Sequence, residues 1–151
     1  MQVFRLCKAR WATSAFSGEG ALRYSGRWHH AGTPVVYTAA SRALAALEVL
    51  VHLEIRQAPP SFVIIPAEVP KDLVTVIEAP PPGWNVLPPG DVSRRIGSEW
   101  VRSRSSVGLG VPSVVLPGEH NVLLNPTHPD YGRVDVGEPE PFTFDPRLLA
   151  S

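Results

Sequence analysis

Residues 25–48, SGRWHHAGTPVVYTAASRALAALE, combine a glycine-containing turn, a short β-rich segment and the start of a helix. Residues 34–38 are mostly β-branched or aromatic, which favours a strand. Ser41 is a good N-cap and no Gly or Pro follows for a long stretch, so we predict a helix over residues 41–56. The candidate functional residues in this stretch are Arg27, Tyr37 and Glu48.

Glu48 is informative because it falls among apolar residues on a helix that we expect to be largely buried. The residues on its stripe are Leu44, Leu47, Val51 and Ile55. A buried carboxylate is costly unless it is paired or hydrogen-bonded. Two interpretations stay open: a buried ion pair, or a carboxylate at the wall of a cleft where chemistry uses it. The arginines considered for the ion pair are Arg5, Arg23 and Arg27.

Composition limits the class of protein. The chain has 151 residues, 44% of them hydrophobic and 19% charged, which predicts one globular domain over residues 1–151. The formal net charge is zero, which disfavours a nucleic-acid partner. The single cysteine, Cys7, rules out a disulfide framework, so we expect a cytoplasmic protein. The longest apolar run, residues 43–55, is too short and too charged to span a bilayer.

The remaining pattern predicts short elements separated by prolines. We predict an opening strand over residues 3–7, with Arg5 at a sheet edge facing water, and a central strand over residues 61–69. A second helix is expected over residues 93–104. Its basic face is predicted to be solvated, and docking of an acidic partner or phosphate is the alternative. The closing edge strands are predicted over residues 131–134 and 141–145.

A hairpin is predicted near the C-terminal third. Residues 107–112 are glycine-rich and indicate a loop, whereas residues 113–117 and 121–126 indicate two strands around a tight turn. Ser113 would then lie at the entry of the hairpin and Asn125 at its exit, at the same end of the sheet.

The chemistry suggested by these residues is ligand binding by an arginine, a tyrosine and a glutamate. Ser113 lacks the G-x-S-x-G context of a hydrolase nucleophile, and the adjacent His29 and His30 are poorly placed to share a metal, so no metal site is expected. Arginine suits phosphate, tyrosine suits an aromatic base, and glutamate suits a ribose hydroxyl or developing positive charge. The set therefore fits a charged, ribose-bearing ligand.

Several motifs, in this order and spacing, resemble the RES-domain toxins of bacterial toxin–antitoxin pairs. They are Gly26-Arg27-Trp28, Gly32-x-Pro34-Val35-Val36-Tyr37, Ser41, Ala45, Glu48, the run 113–117, Asn121, and Asn125-Pro126-x-His128-Pro129. The family is named after an Arg, a Glu and a Ser, which match Arg27, Glu48 and Ser113. The likeness runs from about Phe4 to Phe144. His29 departs from it, since many relatives carry Asn there.

The resemblance implies an α+β fold like that of ADP-ribosyltransferases, a mixed split β-sheet with flanking helices. It implies NAD⁺ as a substrate, not a cofactor, and cleavage of the nicotinamide–ribose bond by hydrolysis or phosphorolysis. It also implies a cognate Xre-type helix-turn-helix antitoxin that covers the active site. We expect a homodimer within the toxin–antitoxin complex.

On this hypothesis Arg27 binds the diphosphate, Tyr37 packs against nicotinamide or its ribose, and Glu48 stabilises the transition state. Ser113 and Asn125 position the ligand. Two alternatives remain. A mono-ADP-ribosyltransferase would use the same pocket to modify a cellular protein, and a non-enzymatic interaction module would contain Glu48 and Arg27 only as a core ion pair. An RNase is disfavoured by the charge balance.

Overall fold

The computed structural model describes residues 1–54 and 60–150. In this part, one mixed β-sheet is flanked by a few helices, which confirms the predicted α+β class. The strands are β1 (Gln2–Lys8), β2 (Val36–Ala39), β3 (Phe62–Glu68), β4 (Val74–Val76), β5 (Gly108–Pro112), β6 (His120–Leu124), β7 (Asp135–Val136) and β8 (Glu140–Phe142). The helices are α1 (Glu19–Arg23), α2 (Arg42–Leu50), α3 (Asp91–Ser103) and α4 (Pro146–Leu149).

The sheet has the strand order β4-β5-β6-β2-β1-β3-β7, and β8 also pairs with β3. Only β4 and β5 run parallel; the other pairs are antiparallel. Strands β1 and β2 share a single register pair, Phe4 with Ala39, whereas β2 pairs with β6 over its whole length. The pairing between β1 and β2 is therefore the weak point of the sheet, and β2 carries Tyr37.

Two helices close the core. On α2, Leu44 and Ala45 pack against Phe4 and Leu6 of β1. Full burial of Leu44 contributes roughly 2 kcal/mol. Trp100 and Val101 of α3 join a second cluster, whose other members include Trp28, Leu109 and Leu123. The C-terminal part of residues 25–48 is therefore packed on the sheet as α2, and Trp28 in the N-terminal part is packed against α3.

Helix α2 is shorter and more exposed than predicted. Ser41 is the N-cap and accepts a hydrogen bond from Leu44 N–H at 3.1 Å, as expected. The helix ends at Leu50, followed by i→i+3 hydrogen bonds that tighten its last turn, and Val51 is 55% exposed. The predicted continuation to residue 54 is wrong, since residues 51–52 form a turn although Leu53 still packs against the core, and residues 55–56 lie outside the described part. Glu48 is half-buried, not buried.

The first strand of the hairpin lies earlier in the chain than predicted. Its first strand is β5, in the glycine-rich stretch that we expected to be a loop, and residues 113–117 form bends and a turn. Gly108 and Gly110 lie close to Val74 and Val76 of β4: a Cβ on the glycines would meet the valine methyl groups at 3.0 and 3.1 Å, so the valines would have to shift. Glycine here allows close strand packing and does not mark a loop.

The shift also separates Ser113 from Asn125. Pro112 pairs with His120 at one end of the hairpin, and Gly108 pairs with Leu124 at the other. Ser113 follows the first pair and Asn125 follows the second, so the prediction that they share one end of the sheet is wrong.

Three smaller predictions also need correction. Strand β1 lies between β2 and β3, so Arg5 is not at a sheet edge; its Nη1 donates to the Tyr37 carbonyl at 2.9 Å. The predicted strand over residues 131–134 is a 3₁₀ turn, Tyr131–Arg133, and the edge strand β7 follows it. Helix α3 begins two residues earlier than predicted, at Asp91. For Arg5 the pairing of β1 on both sides decides the outcome, which the local pattern does not encode. The turn at Tyr131–Arg133 is instead held by local hydrogen bonds from Arg133 N–H to the Asp130 carbonyl and from Val134 N–H to the Tyr131 carbonyl.

None of the helices in the described residues combines the length and the apolar character that a bilayer crossing requires.

Candidate active site

The Glu48 carboxylate is held by two donors on the same oxygen. Ser113 Oγ and Asn121 Nδ2 each donate to Glu48 Oε1 at 2.7 Å. Among residues 1–54 and 60–150, Oε2 has no hydrogen-bond partner and Glu48 forms no ion pair with any arginine. The carboxylate is therefore fixed in orientation while one of its oxygens stays available to a ligand.

Ser113 reaches Glu48 because the chain bends at this residue. Its Oγ accepts from Leu116 N–H at 3.0 Å while donating to Glu48, and Ser113 N–H donates to the Glu119 carbonyl at 2.9 Å. A serine that binds the backbone three residues on competes with strand formation. The same hydroxyl thus ends β5 and anchors the carboxylate, which explains why residues 113–117 are not a strand.

Asn121 belongs to the site, although we did not predict it as a site residue. It stands opposite Ala39 in the β2–β6 pairing, on the same strand face as Leu123. Leu123 is fully buried in the α3-side cluster, so an amide two residues away occupies an inward position. A polar residue at an inward position of an alternating strand is the signal that could have identified it.

Arg27 lies in the loop before β2 and is oriented by a second loop. Its Nη1 donates to the carbonyls of Trp84 and Val86, both at 3.0 Å. Burial lowers the pKa of Arg27, and the nearby charge of Glu48 opposes this effect. Arg94 is close enough to lower the pKa further. Arg27 and Glu48 thus interact through space without direct contact.

Tyr37 uses its hydroxyl entirely within the protein. Trp28 N–H donates to Tyr37 Oη at 3.1 Å, and His29 Nδ1 lies 2.7 Å from the same oxygen. Burial raises the pKa of Tyr37 well above its usual range, so the phenol is neutral. Gly26 is required beside it, since a Cβ there would lie 2.7 Å from Tyr37 Oη.

Helix α3 clamps residues 26–30. A Cβ on Gly97 would lie 1.7 Å from the Trp28 carbonyl oxygen, so the helix backbone touches this loop directly. Ser98 Oγ accepts from His30 N–H at 3.0 Å, and Arg94 Nε donates to the Gly26 carbonyl at 2.9 Å. The prediction of a solvated basic face therefore fails at Arg94, which is half-buried against the site.

Asn125 is fully buried away from Glu48. Its Nδ2 donates to the Val101 carbonyl at 3.0 Å, and its Oδ1 accepts from both the N–H and the hydroxyl of Thr127. These bonds tie the end of β6 to α3 and to the following turn. The structure does not bring Asn125 together with Ser113 and Glu48.

A separate cavity of about 180 Å³ lies behind Tyr37. Its lining includes Arg5, Glu19, Tyr24, His29 and Tyr37. The Nε of Arg5 is buried there and has no hydrogen-bond partner in the described part of the chain, and burial lowers the pKa of Arg5. Arg23, the other alternative to Arg27, is exposed.

The described residues contain no group of three or more His, Cys, Asp or Glu side chains suited to a metal ion. His29 and His30 point to different partners: His29 contacts Tyr37 and Tyr24, and His30 Nε2 lies 2.8 Å from Asp91 Oδ1.

Known proteins resemble this chain over most of its length. "Toxin Res" of Photorhabdus laumondii is 38% identical over 99% of this chain and 97% of its own. "Prs ADP-ribosylating toxin" of Sphingobium sp. is 39% identical over 88% of this chain and 86% of its own. "Toxin Res" of Pseudomonas putida is 42% identical over 92% of this chain and 98% of its own.

A solved structure shares the fold. The crystal structure of the M. tuberculosis MbcT–MbcA toxin–antitoxin complex matches with a TM-score of 0.72 and 18% identity, over 98% of this chain and 86% of that chain. At this identity the match carries the fold alone. The RES domain profile matches residues 2–145. Together with the full-length relatives, this match shows that the chain belongs to the RES domain family.

Proposed function

We propose that this chain is the toxin of a bacterial toxin–antitoxin pair and that it cleaves NAD⁺ at the nicotinamide–ribose bond. The observation that carries the proposal is the Glu48 carboxylate, which is fixed through Oε1 by Ser113 and Asn121 and whose Oε2 has no hydrogen-bond partner in the described residues. Relatives of nearly full length are named as toxins, and one is named as ADP-ribosylating, which supports NAD⁺-related chemistry.

Glu48 would act on the ribose. When the C1′–N bond breaks, its electron pair leaves with the nicotinamide nitrogen and positive charge develops on the ribose ring. A carboxylate oxygen held beside that ring stabilises the charge as it forms, and Ser113 and Asn121 keep the carboxylate from turning away. Water or phosphate then bonds to C1′ and releases a proton.

Arg27 and Tyr37 would bind the substrate in distinct ways. Arg27 has one nitrogen engaged with the Trp84 and Val86 carbonyls, and its remaining N–H groups suit the diphosphate. Tyr37 would contribute its ring, because its hydroxyl is already occupied by Trp28 and His29. Asn125 has its amide occupied by Val101 and Thr127, so we assign it to the fold and not to the substrate.

The direct test is Glu48→Gln in purified protein incubated with NAD⁺. Glutamine keeps a carbonyl oxygen for Ser113 and Asn121, so the fold is preserved while the second oxygen becomes an uncharged NH₂. We expect nicotinamide release to fall by about 100- to 1,000-fold, the usual cost of one such electrostatic group. Glu99→Gln, the same change at an exposed position of α3, is the matched control. Full activity in Glu48→Gln would refute the proposal.

A second candidate is mono-ADP-ribosylation of a cellular protein, favoured by the name of the Sphingobium relative. It shares the first bond cleavage but transfers the ribosyl group to a protein side chain. To distinguish the two, the purified protein is incubated with a cell extract and NAD⁺ labelled in the adenylate, and the products are separated on a gel. Label in free ADP-ribose or its phosphate supports NAD⁺ degradation, whereas label on a protein band supports transfer.

We also propose a cognate Xre-type antitoxin as the partner, in a complex that contains two copies of this chain. The fold match to a toxin from a toxin–antitoxin complex supports the partner class. Co-expression with the antitoxin should restore growth, and light scattering of the purified complex should give two copies of this chain.

A further inference from the structure

His29 is linked to the site by a continuous chain of hydrogen bonds. Trp28 N–H donates to Tyr37 Oη at 3.1 Å, Tyr37 Oη lies 2.7 Å from His29 Nδ1, and His29 Nε2 lies 2.7 Å from the Tyr24 carbonyl. We propose that His29 is a positioning residue, which acts through the Tyr37 hydroxyl to hold the Arg27 loop in its substrate-binding shape. Of the measurements that test this proposal, only those of NAD⁺ turnover rest on the proposed function.

The partners determine the tautomer of His29. The Tyr24 carbonyl can only accept, so Nε2 carries the proton in the neutral ring. Nδ1 is then bare and accepts the phenolic proton of Tyr37. With its proton directed to His29, the Tyr37 oxygen is left to accept from Trp28 N–H. Each group in the chain therefore has one role, and with a neutral imidazole this arrangement of protons satisfies all three contacts.

The hydroxyl of Tyr37 bonds to one neighbour of Arg27 and lies against the other. Trp28, which follows Arg27, donates its N–H to Tyr37, and Gly26, which precedes it, donates its N–H to the His29 carbonyl at 3.1 Å. A Cβ on Gly26 would lie 2.9 Å from His29 Cε1, so ring and loop are in tight contact. A change in the His29–Tyr37 bond is thus transmitted to the backbone on both sides of Arg27.

The surroundings of His29 disfavour a charged ring. Burial lowers the pKa of His29 below its ordinary value of 6.5, while the carbonyls of Tyr24 and Ala21 oppose this and the charges of Arg94 and His30 add to it. The ionisable groups around the ring are Arg94 of α3, His30 of the loop, Tyr37 of β2, and Arg5, Glu19 and Tyr24 in the cavity lining. Protonation in acid would place a hydrogen on Nδ1, so Tyr37 Oη would have to accept from both Nδ1–H and Trp28 N–H, and its own proton would lose its acceptor.

Two substitutions of His29 test the contributions of its two ring nitrogens separately. Asparagine places its Oδ1 near the position of Nδ1 and keeps an acceptor for Tyr37, whereas glutamine places its amide near Nε2 and keeps only the bond to Tyr24. We expect His29→Gln to raise the KM for NAD⁺ about tenfold with kcat within about threefold, because the loop binds the ground state and the transition state alike. His29→Asn should recover most of that loss.

Two further readouts distinguish positioning from bulk stability. In a Tyr37→Phe background, His29→Gln should cost less than about twofold more, since the intermediary is already gone. As the pH falls from about 7.5 to about 5, wild-type activity should drop relative to His29→Asn, which does not titrate. Equal losses in His29→Asn and His29→Gln, or additive losses with Tyr37→Phe, would overturn the proposal.

If the wild-type protein turns over no NAD⁺, the proposed function fails, and the positioning of Tyr37 is judged by NMR instead. The ¹⁵N shifts of the His29 ring should show the Nε2–H tautomer, and the Trp28 amide should lose protection from exchange in His29→Gln but keep it in His29→Asn. An Nδ1–H tautomer, or equal Trp28 protection in both variants, would overturn the proposal independently of activity.

Discussion

The two ends of the site differ in how completely their polar groups are used. At the Tyr37 end, formed by Gly26, Trp28, His29 and Tyr37, the phenol and the imidazole are fully satisfied within the chain. At the Glu48 end, formed by Glu48, Ser113 and Asn121, one carboxylate oxygen accepts two bonds and the other has none in the described residues. Satisfied buried networks specify structure. Our proposal assigns the unused carboxylate oxygen to a ligand, so on this proposal the first end supports the site and the second reacts.

The strongest way to break the Tyr37 end is Gly97→Ala in α3. Alanine normally favours a helix over glycine, but here its Cβ would lie 1.7 Å from the Trp28 carbonyl oxygen. We expect the free energy of unfolding to fall by about 3 kcal/mol, measured by urea denaturation. Gly20→Ala in α1, where a Cβ meets nothing within 4 Å, is the matched control and should change stability little. A neutral Gly97→Ala would show that α3 does not press on the loop.

Tyr37→Phe removes the hydroxyl that joins Trp28 and His29. It leaves a part-buried N–H and a ring nitrogen without their partner, which should cost about 2 kcal/mol of stability. Tyr24→Phe is the control, because that side chain is 77% exposed and only its backbone carbonyl serves the network. The two midpoints of urea unfolding are compared. A cost in Tyr37→Phe no larger than in Tyr24→Phe would contradict a supporting role for this end.

Asn121→Ala and Ser113→Ala sharpen the difference between the ends. Each removes one donor to Glu48 Oε1, so each should lower NAD⁺ cleavage about tenfold. Ser113→Ala also removes the acceptor for Leu116 N–H and should cost about 1 kcal/mol of stability, whereas Asn121 makes no second side-chain bond in the described residues. Activity and thermal unfolding are measured on both. A large loss of stability with unchanged activity in Asn121→Ala would contradict a catalytic role for the Glu48 end and show that it only supports the fold.

Sequence reasoning works best where local chemistry decides the structure. Ser41 is an N-cap because its side chain can accept an N–H of the first turn, and the strand that carries Tyr37 follows from its β-branched neighbours. The contact between Ser113 and Glu48 joins two residues that the family resemblance had already singled out.

Sequence reasoning works less well where a contact that the local pattern does not show decides the local structure. Gly108 and Gly110 look like loop residues until Val74 and Val76 of β4 are placed beside them. Val114 and Val115 look like strand residues, yet the hydroxyl of Ser113 bends the chain before them. Asn121 escaped notice as a site residue because its inward direction depends on the register with β2. The failures at the glycines and at Asn121 come from contacts between residues far apart in sequence, whereas the bend at Ser113 comes from a local hydrogen bond to Leu116 N–H.

The most direct test of the account is cellular NAD⁺ after brief expression of this chain without an antitoxin. Wild-type protein should lower NAD⁺ rapidly, while Glu48→Gln, expressed at the same level, should leave it unchanged. An equal fall with Glu48→Gln would contradict the role of the Glu48 end. Arrested growth at constant NAD⁺ with the wild type would contradict NAD⁺ degradation and point to modification of a cellular protein.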